Sequence, residues 1–123
     1  MAGESTGPPV VVTLPEDIDF TNSDDAAVSL LGARDTPGLT IADMTATMFC
    51  DSMGMRMLMV ASDRIAAAGS TLRVVISPVG TVAHMMSILG LRHLLLLHHT
   101  VQDAITAHAA SQLAAADNAQ PLS

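Results

Sequence analysis

The chain has 123 residues, half of them apolar, and carries twelve Asp plus Glu against five Arg for a formal charge of −7. One compact domain is expected at this length, with a core of Val, Ile, Leu, Met and Ala, because Phe20 and Phe49 are the only Phe, Tyr or Trp residues. The absence of lysine excludes Walker-type nucleotide binding, pyridoxal Schiff bases and the lysine-dependent phosphoacceptor sites of response regulators, and acidity without a basic cluster excludes nucleic acid as a direct partner.

Residues 1–9 (MAGESTGPP) are small, polar and rich in Pro and Gly, and read as a disordered N-terminal segment. Val10 to Leu14 is a β-branched run ended by Pro15, which predicts a strand. Asn22 or Ser23 caps a short helix with Asp24 and Asp25 in its first turn, where the macrodipole favours anions. Ala27, Leu30 and Leu31 give that helix an apolar side, and Thr36-Pro37-Gly38 closes it. Leu39 to Met44 reads as the second strand. Phe49-Cys50 leads into a second helix that begins near Ser52 and stops at Gly69, a C′ residue.

Leu72 to Ile76 is the third strand. Ser77-Pro78 opens a helix with Pro in its first turn, carrying Val82, Met85, Met86 and Leu89 and ending at Gly90. Leu94 to Leu97 reads as a fourth strand. Thr100-Val101-Gln102-Asp103 resembles a capping box with Asp in place of Glu, and the helix it starts turns Val101, Ala104 and Ile105 inward. The domain is thus expected over 10–113, with a flexible tail over 114–123. Alternating strands and helices imply an α/β domain with a four- to five-stranded, mostly parallel sheet and right-handed helical crossovers. Function in such sheets gathers where strands end and helices begin, which directs attention to the stretch between Met44 and Gly54.

Charge is unevenly spread. Residues 1–35 hold seven acids against Arg34 alone, a net of −6, and the remainder has a net of −1. Residues 16–25 could form an acidic lip suited to a basic partner surface, or a solvated loop and helix start, and charge by itself favours the second. Cys50 is the single cysteine, so no intramolecular disulfide can form. Met1-Ala2-Gly3-Glu4 lacks the positive start of a signal peptide, and no run approaches the roughly 18 apolar residues of a membrane span. A cytoplasmic protein without membrane contact is expected.

In the stretch singled out, Ser52 would be the helix N-cap, its hydroxyl close to backbone N–H groups that lack intrahelical partners. Read as more than a cap, it is a phosphoacceptor whose phosphate the helix N-terminus would accept. Phe49-x-Asp51-Ser52-x-Gly54-Met55-x-x-Leu58 resembles the signature of the STAS-domain anti-sigma factor antagonists, whose helix begins with Asp-Ser-Ser/Thr-Gly-Leu. Asp17-Ile18-Asp19 is similar to that family's strand-end Glu-Leu-Asp, and Leu39–Met44, with Asp43, to its Val-Leu-Asp-Leu strand. Leu89-Gly90-Leu91 and Val101–Ile105 match the approach to its last strand and its final helix. The resemblance spans about residues 10–108.

That resemblance implies a binding protein and not an enzyme. The unphosphorylated antagonist would bind an anti-sigma factor, often itself a serine kinase, and release the sigma factor. Phosphorylation of the motif serine would end the contact, and a serine phosphatase would restore it. Carried over residue by residue, Ser52 is the phosphoacceptor, Asp51 and Gly54 shape the site, and Asp19 lies on the neighbouring loop. Three departures stand out. Met53 replaces the second hydroxyl residue, Glu16 stands where the family often has Gly, and the first strand of longer members has no counterpart.

Read by helical angle, the second helix shows two apolar stripes. Met55, Leu58, Met59, Ser62, Ile65 and Ala66 should face the sheet. Met53, Met57 and Val60 form a narrower stripe nearly opposite, beside Arg56 and Arg64. That stripe is either a methionine-rich contact surface or packing under a neighbouring loop. Met53 and Met57 therefore join Asp19, Asp51, Ser52 and Gly54 as candidate partner-binding residues.

His84, His93, His98, His99 and His108 show no ligand spacing with Cys50, so neither metal nor cofactor is expected. Cys50 reads as a small buried hydrophobe. Two alternatives stand beside the antagonist: a STAS docking module in another signalling assembly, and a small hydrolase using Ser52. The hydrolase reading fails where Cys50 occupies the first glycine of a nucleophile elbow.

Overall fold

The computed structural model describes residues 7–119. Residues 1–6 of the expected N-terminal segment and 120–123 of the expected tail lie outside the described residues. Four parallel strands, β1 (Val10–Thr13), β3 (Leu39–Met44), β5 (Thr71–Ile76) and β6 (Leu97–His98), lie side by side in that order. A separate parallel pair joins β2 (Asp17–Ile18) to β4 (Phe49–Cys50). Helices α1 (Ser23–Leu31), α2 (Ser52–Ala67) and α3 (Thr81–Ile88) make the crossovers, and α4 (Val101–Ala119) closes the chain.

Strand order follows chain order, so right-handed crossovers put α1, α2 and α3 on one face of the sheet and leave α4 to the other. Burial follows from the two-residue period of the strands. Ala42 and Met44 of β3, with Leu72, Val74 and Ile76 of β5, face the three helices in the larger core. The alternate residues Leu39, Ile41 and Val75 meet Ala104 of α4 in a smaller one, flanked by Val101 and Ile105. Arg73 is the residue of β5 between Leu72 and Val74, and is buried on the α4 side.

Helix ends show why the chain turns where it does. Gly69 has φ +87°, its N–H bonds to Ala66 O, and Ser70 N–H bonds to Ile65 O, a Schellman closure that needs a left-handed residue. The Asp103 N–H donates to Thr100 Oγ1 at 3.0 Å, so Thr100 does cap α4.

Several expectations are corrected. α3 starts at Thr81 and not at Pro78, because the chain makes a further turn that Gly80, at φ +107°, permits. The leucine run is no strand: Leu91–His93 is a 3-10 turn, Leu94 and Leu96 are exposed, and only Leu97–His98 pairs with β5. Phe49-Cys50 is itself a short strand, too brief to show a period. α1 buries Ser23, Ala26 and Leu30, and Leu31 is exposed. α4 continues through Ala119, so positions 114–119 of the expected tail are helical.

Candidate functional site

The β2–β4 pair brings the motif against the β2–α1 loop. Glu16 O accepts from Met48 N–H at 2.7 Å and from Phe49 N–H at 3.2 Å, and Ile18 O accepts from Asp51 N–H at 3.0 Å. Asn22 precedes α1 without capping it. Its amide donates to Asp17 O at 2.8 Å and its Oδ1 accepts from Asp19 N–H at 2.9 Å, so it braces the loop that carries Asp19 and Phe20. The Thr21 hydroxyl and backbone N–H both bond to the Asp19 carboxylate and hold its pKa below the ordinary value. Asp19 is thereby fixed beside the start of α2.

Ser52 is not the cap of α2. Asp51 is, with an extended backbone and a carboxylate that accepts from Gly54 N–H at 2.9 Å. Ser52 is the first helical residue. It is exposed, and its hydroxyl makes no hydrogen bond among the described residues. Asp51 thus takes the structural duty and leaves the hydroxyl free at the helix N-terminus, where the backbone N–H groups of Ser52 and Met53 point outward.

Gly54 is required by close approach. A Cβ there would lie 2.5 Å from Cys50 Sγ and 2.8 Å from Ile18 Cγ2, and both neighbours are core residues. Cys50 is buried, and burial, with the Asp51 charge second, pushes its thiol up to about 12. No thiolate nucleophile forms at neutral pH. Among the described residues no group of three or more His, Cys, Asp or Glu could hold a metal ion.

The second stripe of α2 divides. Met57 is 8 % exposed and belongs to the main core, because α1 packs over that side of α2. Met53 and Val60 remain exposed and line an open groove of about 260 Å³ between α1 and α2, with Met57 in its wall. The structure therefore brings Asp19, Asp51, Ser52 and Met53 to one edge, puts Gly54 beneath them, and withdraws Met57 into the interior.

Of the apolar side chains around that edge, sequence reading named Met53 and missed Phe20, Met48 and Phe49. Phe20, Met48, Phe49 and Met53 are 74 %, 66 %, 47 % and 51 % exposed. Both phenylalanines of an aromatic-poor chain thus face solvent within three residues of Asp19 or Ser52. Their position beside the motif, in a chain with no other Phe, Tyr or Trp, was the available signal.

No helix among the described residues is long and apolar enough to cross a membrane. Compared with protein families, the chain matches the STAS domain over residues 2–104. No curated protein matches it. Among solved structures, the protein TM1081, determined by NMR, is 14 % identical with a TM-score of 0.65, over 80 % of this chain and 79 % of that one. An anti-sigma-factor antagonist (STAS) domain protein from Planctomyces limnophilus is 17 % identical with a TM-score of 0.63, over 80 % of this chain and 87 % of that one. A sulfate transporter family protein from Wolinella succinogenes is 17 % identical with a TM-score of 0.63, over 92 % and 93 %. At these identities the likeness is one of fold.

Proposed function

The chain belongs to the STAS domain family, and we propose that within it this protein is a cytoplasmic anti-sigma factor antagonist switched by phosphorylation of Ser52. The observation that carries this reading is the free, exposed Ser52 hydroxyl set among the exposed Phe20, Met48, Phe49 and Met53. Exposed aromatic and methionine side chains suit a protein partner, and that partner would be an anti-sigma factor of the serine kinase type, with a serine phosphatase to reverse it. Asp19, Asp51 and Met53 would frame the contact around Ser52.

Phosphorylation would add about −1.5 to −2 charges beside Asp51 and close to Asp19. The N–H groups at the start of α2 would hold the phosphate, so the fold survives. The partner would meet a hydrated dianion where a small hydroxyl had packed, and every 1.4 kcal/mol of opposition weakens binding about tenfold. A binding role also fits the buried Cys50 thiol, which supplies no nucleophile next to Ser52.

The test is calorimetric titration of a candidate anti-sigma factor with wild type, Ser52→Ala, Ser52→Glu and enzymatically phosphorylated protein. Wild type and Ser52→Ala should bind, with only the latter refusing phosphate. The phosphorylated form should stay folded and bind at least about 100-fold more weakly. Equal binding by phosphorylated and unmodified protein would remove the switch. Absence of any anti-sigma partner, with capture of a different signalling complex, would favour a docking module in another assembly.

A further inference from the structure

Beneath α4 a buried charge lacks a counter-charge. Arg73, on the α4 side of β5, is 5 % exposed. Its Nη1 lies 3.0 Å from His98 Nε2, and its Nη2 donates to Ser111 Oγ at 3.1 Å. Both partners are neutral acceptors, and no carboxylate bonds to the guanidinium among the described residues. Arg73 Nε has no hydrogen-bond partner there. The other buried side-chain nitrogen or oxygen in the same condition is His108 Nδ1.

These two nitrogens come from facing elements. His108 and Ser111 are three residues apart on α4 and so share a face, and the Ser111 bond brings the guanidinium under that turn. Buried polar groups without partners point to an acceptor that the protein itself does not supply, and an uncompensated buried cation is costly. Water would answer the hydrogen bonds but not the charge. We propose that the layer between the sheet and α4 binds a small monovalent anion of the chloride type, accepting from Arg73 Nε and His108 Nδ1.

Access and selectivity follow from the surroundings. His108, though not Arg73, lines an open groove of about 470 Å³ with Pro9, Leu39, Ile105 and Leu113, which brings solvent to the His108 side of this layer. An apolar approach disfavours strongly hydrated dianions such as sulfate or phosphate. The charged and titratable groups facing the layer are Arg73 from β5, His98 from β6, Asp103 and His108 from α4, and Arg34 after α1, whereas His99 turns to the α3 side, its ring at Ile76 O. Asp103 acts on His98, whereas His108 feels only the cations Arg73 and Arg34. The acid therefore leaves the His108 side of the layer uncompensated.

Thermal unfolding at fixed ionic strength, exchanging sodium gluconate for sodium chloride, tests the site. The midpoint should rise with chloride by about 5 °C over a roughly hundredfold range. Because burial and the Arg73 and Arg34 charges hold the His108 pKa below 6.5, and a bound anion favours the protonated, charged donor, the rise should grow as pH falls from 8 through the acid side of that value. His108→Phe should abolish the chloride response while remaining folded. Diffraction from crystals grown in bromide should place anomalous density between Arg73 Nε and His108 Nδ1. Identical midpoints in the two salts, an undiminished response in His108→Phe, or a water in place of the halide would each overturn the proposal.

Discussion

The Ser52 edge and the α4 layer break the usual partition of side chains in opposite senses. At the edge, Phe20 and Phe49 face solvent; beneath α4, Arg73 is buried with His98 and Ser111 as its partners. The energetic consequences differ as much as the placement. An exposed phenylalanine forgoes burial but leaves the folded monomer intact, whereas a buried cation lowers stability unless it is compensated. Between them lies the main core, where α1, α2 and α3 pack on one face of the sheet. Substitutions at the edge should therefore change binding, and those in the core or under α4 should change folding.

The largest effect should come from Met57, which adjoins the edge yet belongs to the core. Met57→Asp places a carboxyl group among apolar side chains, and should cost about 3 kcal/mol or more. Chemical denaturation measures this directly. An unchanged midpoint would return Met57 to the partner surface and move the border between edge and core.

Gly54 gives the next effect and shows which of two opposing contributions wins. Alanine is favoured over glycine within a helix by about 1 kcal/mol. The new Cβ, however, would overlap Cys50 Sγ and Ile18 Cγ2, and forced overpacking costs about 1–3 kcal/mol. A net destabilisation of about 1 kcal/mol is expected for Gly54→Ala. Adding Cys50→Ala removes one of the two overlaps, so the double variant should recover part of the loss beyond additivity. Strict additivity would show that the Cys50 contact is not the cause.

How far the sequence led can be judged on the same residues. Leu39–Met44 was legible as a strand because Pro37-Gly38 bounds a mainly apolar run interrupted only by Thr40 and Asp43, and Gly69 was legible because a left-handed closure needs it. Asp51 and Ser52 both cap helices well, and only backbone geometry assigns the cap to Asp51. The helical angle correctly separated Met57 from the sheet-facing stripe, but periodicity carries no information about α1 lying over it. Pro78 gave a true turn signal that Gly80 delayed by three residues. The two-residue strands β2 and β4 have no period to detect, although they fix the loop beside Ser52. Arg73 was one arginine within an apolar strand, and its burial depends on α4, far away in the chain.

A smaller effect should separate the α4 layer from the core through pH. Burial, followed by the nearby Arg73 charge, holds the pKa values of His98 and His108 below the ordinary 6.5. The unfolded chain therefore takes up protons first as pH falls. Stability from these groups is fully present above about pH 6.5 and is lost progressively below it. Between about pH 7.5 and 5.5, above most carboxylate titrations, the unfolding midpoint should decline at constant chloride. Replacing both histidines by Gln should flatten that decline. A slope unchanged in the double variant would assign it to other groups and leave the α4 layer indifferent to protons.

The smallest effect on folding is expected where the largest effect on binding lies. Phe20 stands in the β2–α1 loop, 74 % exposed, and Phe49 in β4, 47 % exposed. Phe20→Ser removes little buried area and should change stability by no more than about 0.5 kcal/mol. Phe49→Ser should cost slightly more, because an aromatic residue is favoured in a strand. If the edge docks a partner, each ring is a candidate anchor, and losing a central aromatic anchor costs about 2 kcal/mol of binding, or about 30-fold in affinity. Denaturation and calorimetric titration of the single variants thus read two separate quantities. Stable variants that bind weakly would place the rings in the interface. Stable variants that bind like wild type would leave Ser52 without its apolar surround. A large loss of stability would mean that the rings support the loop, and the contrast with Arg73 would disappear.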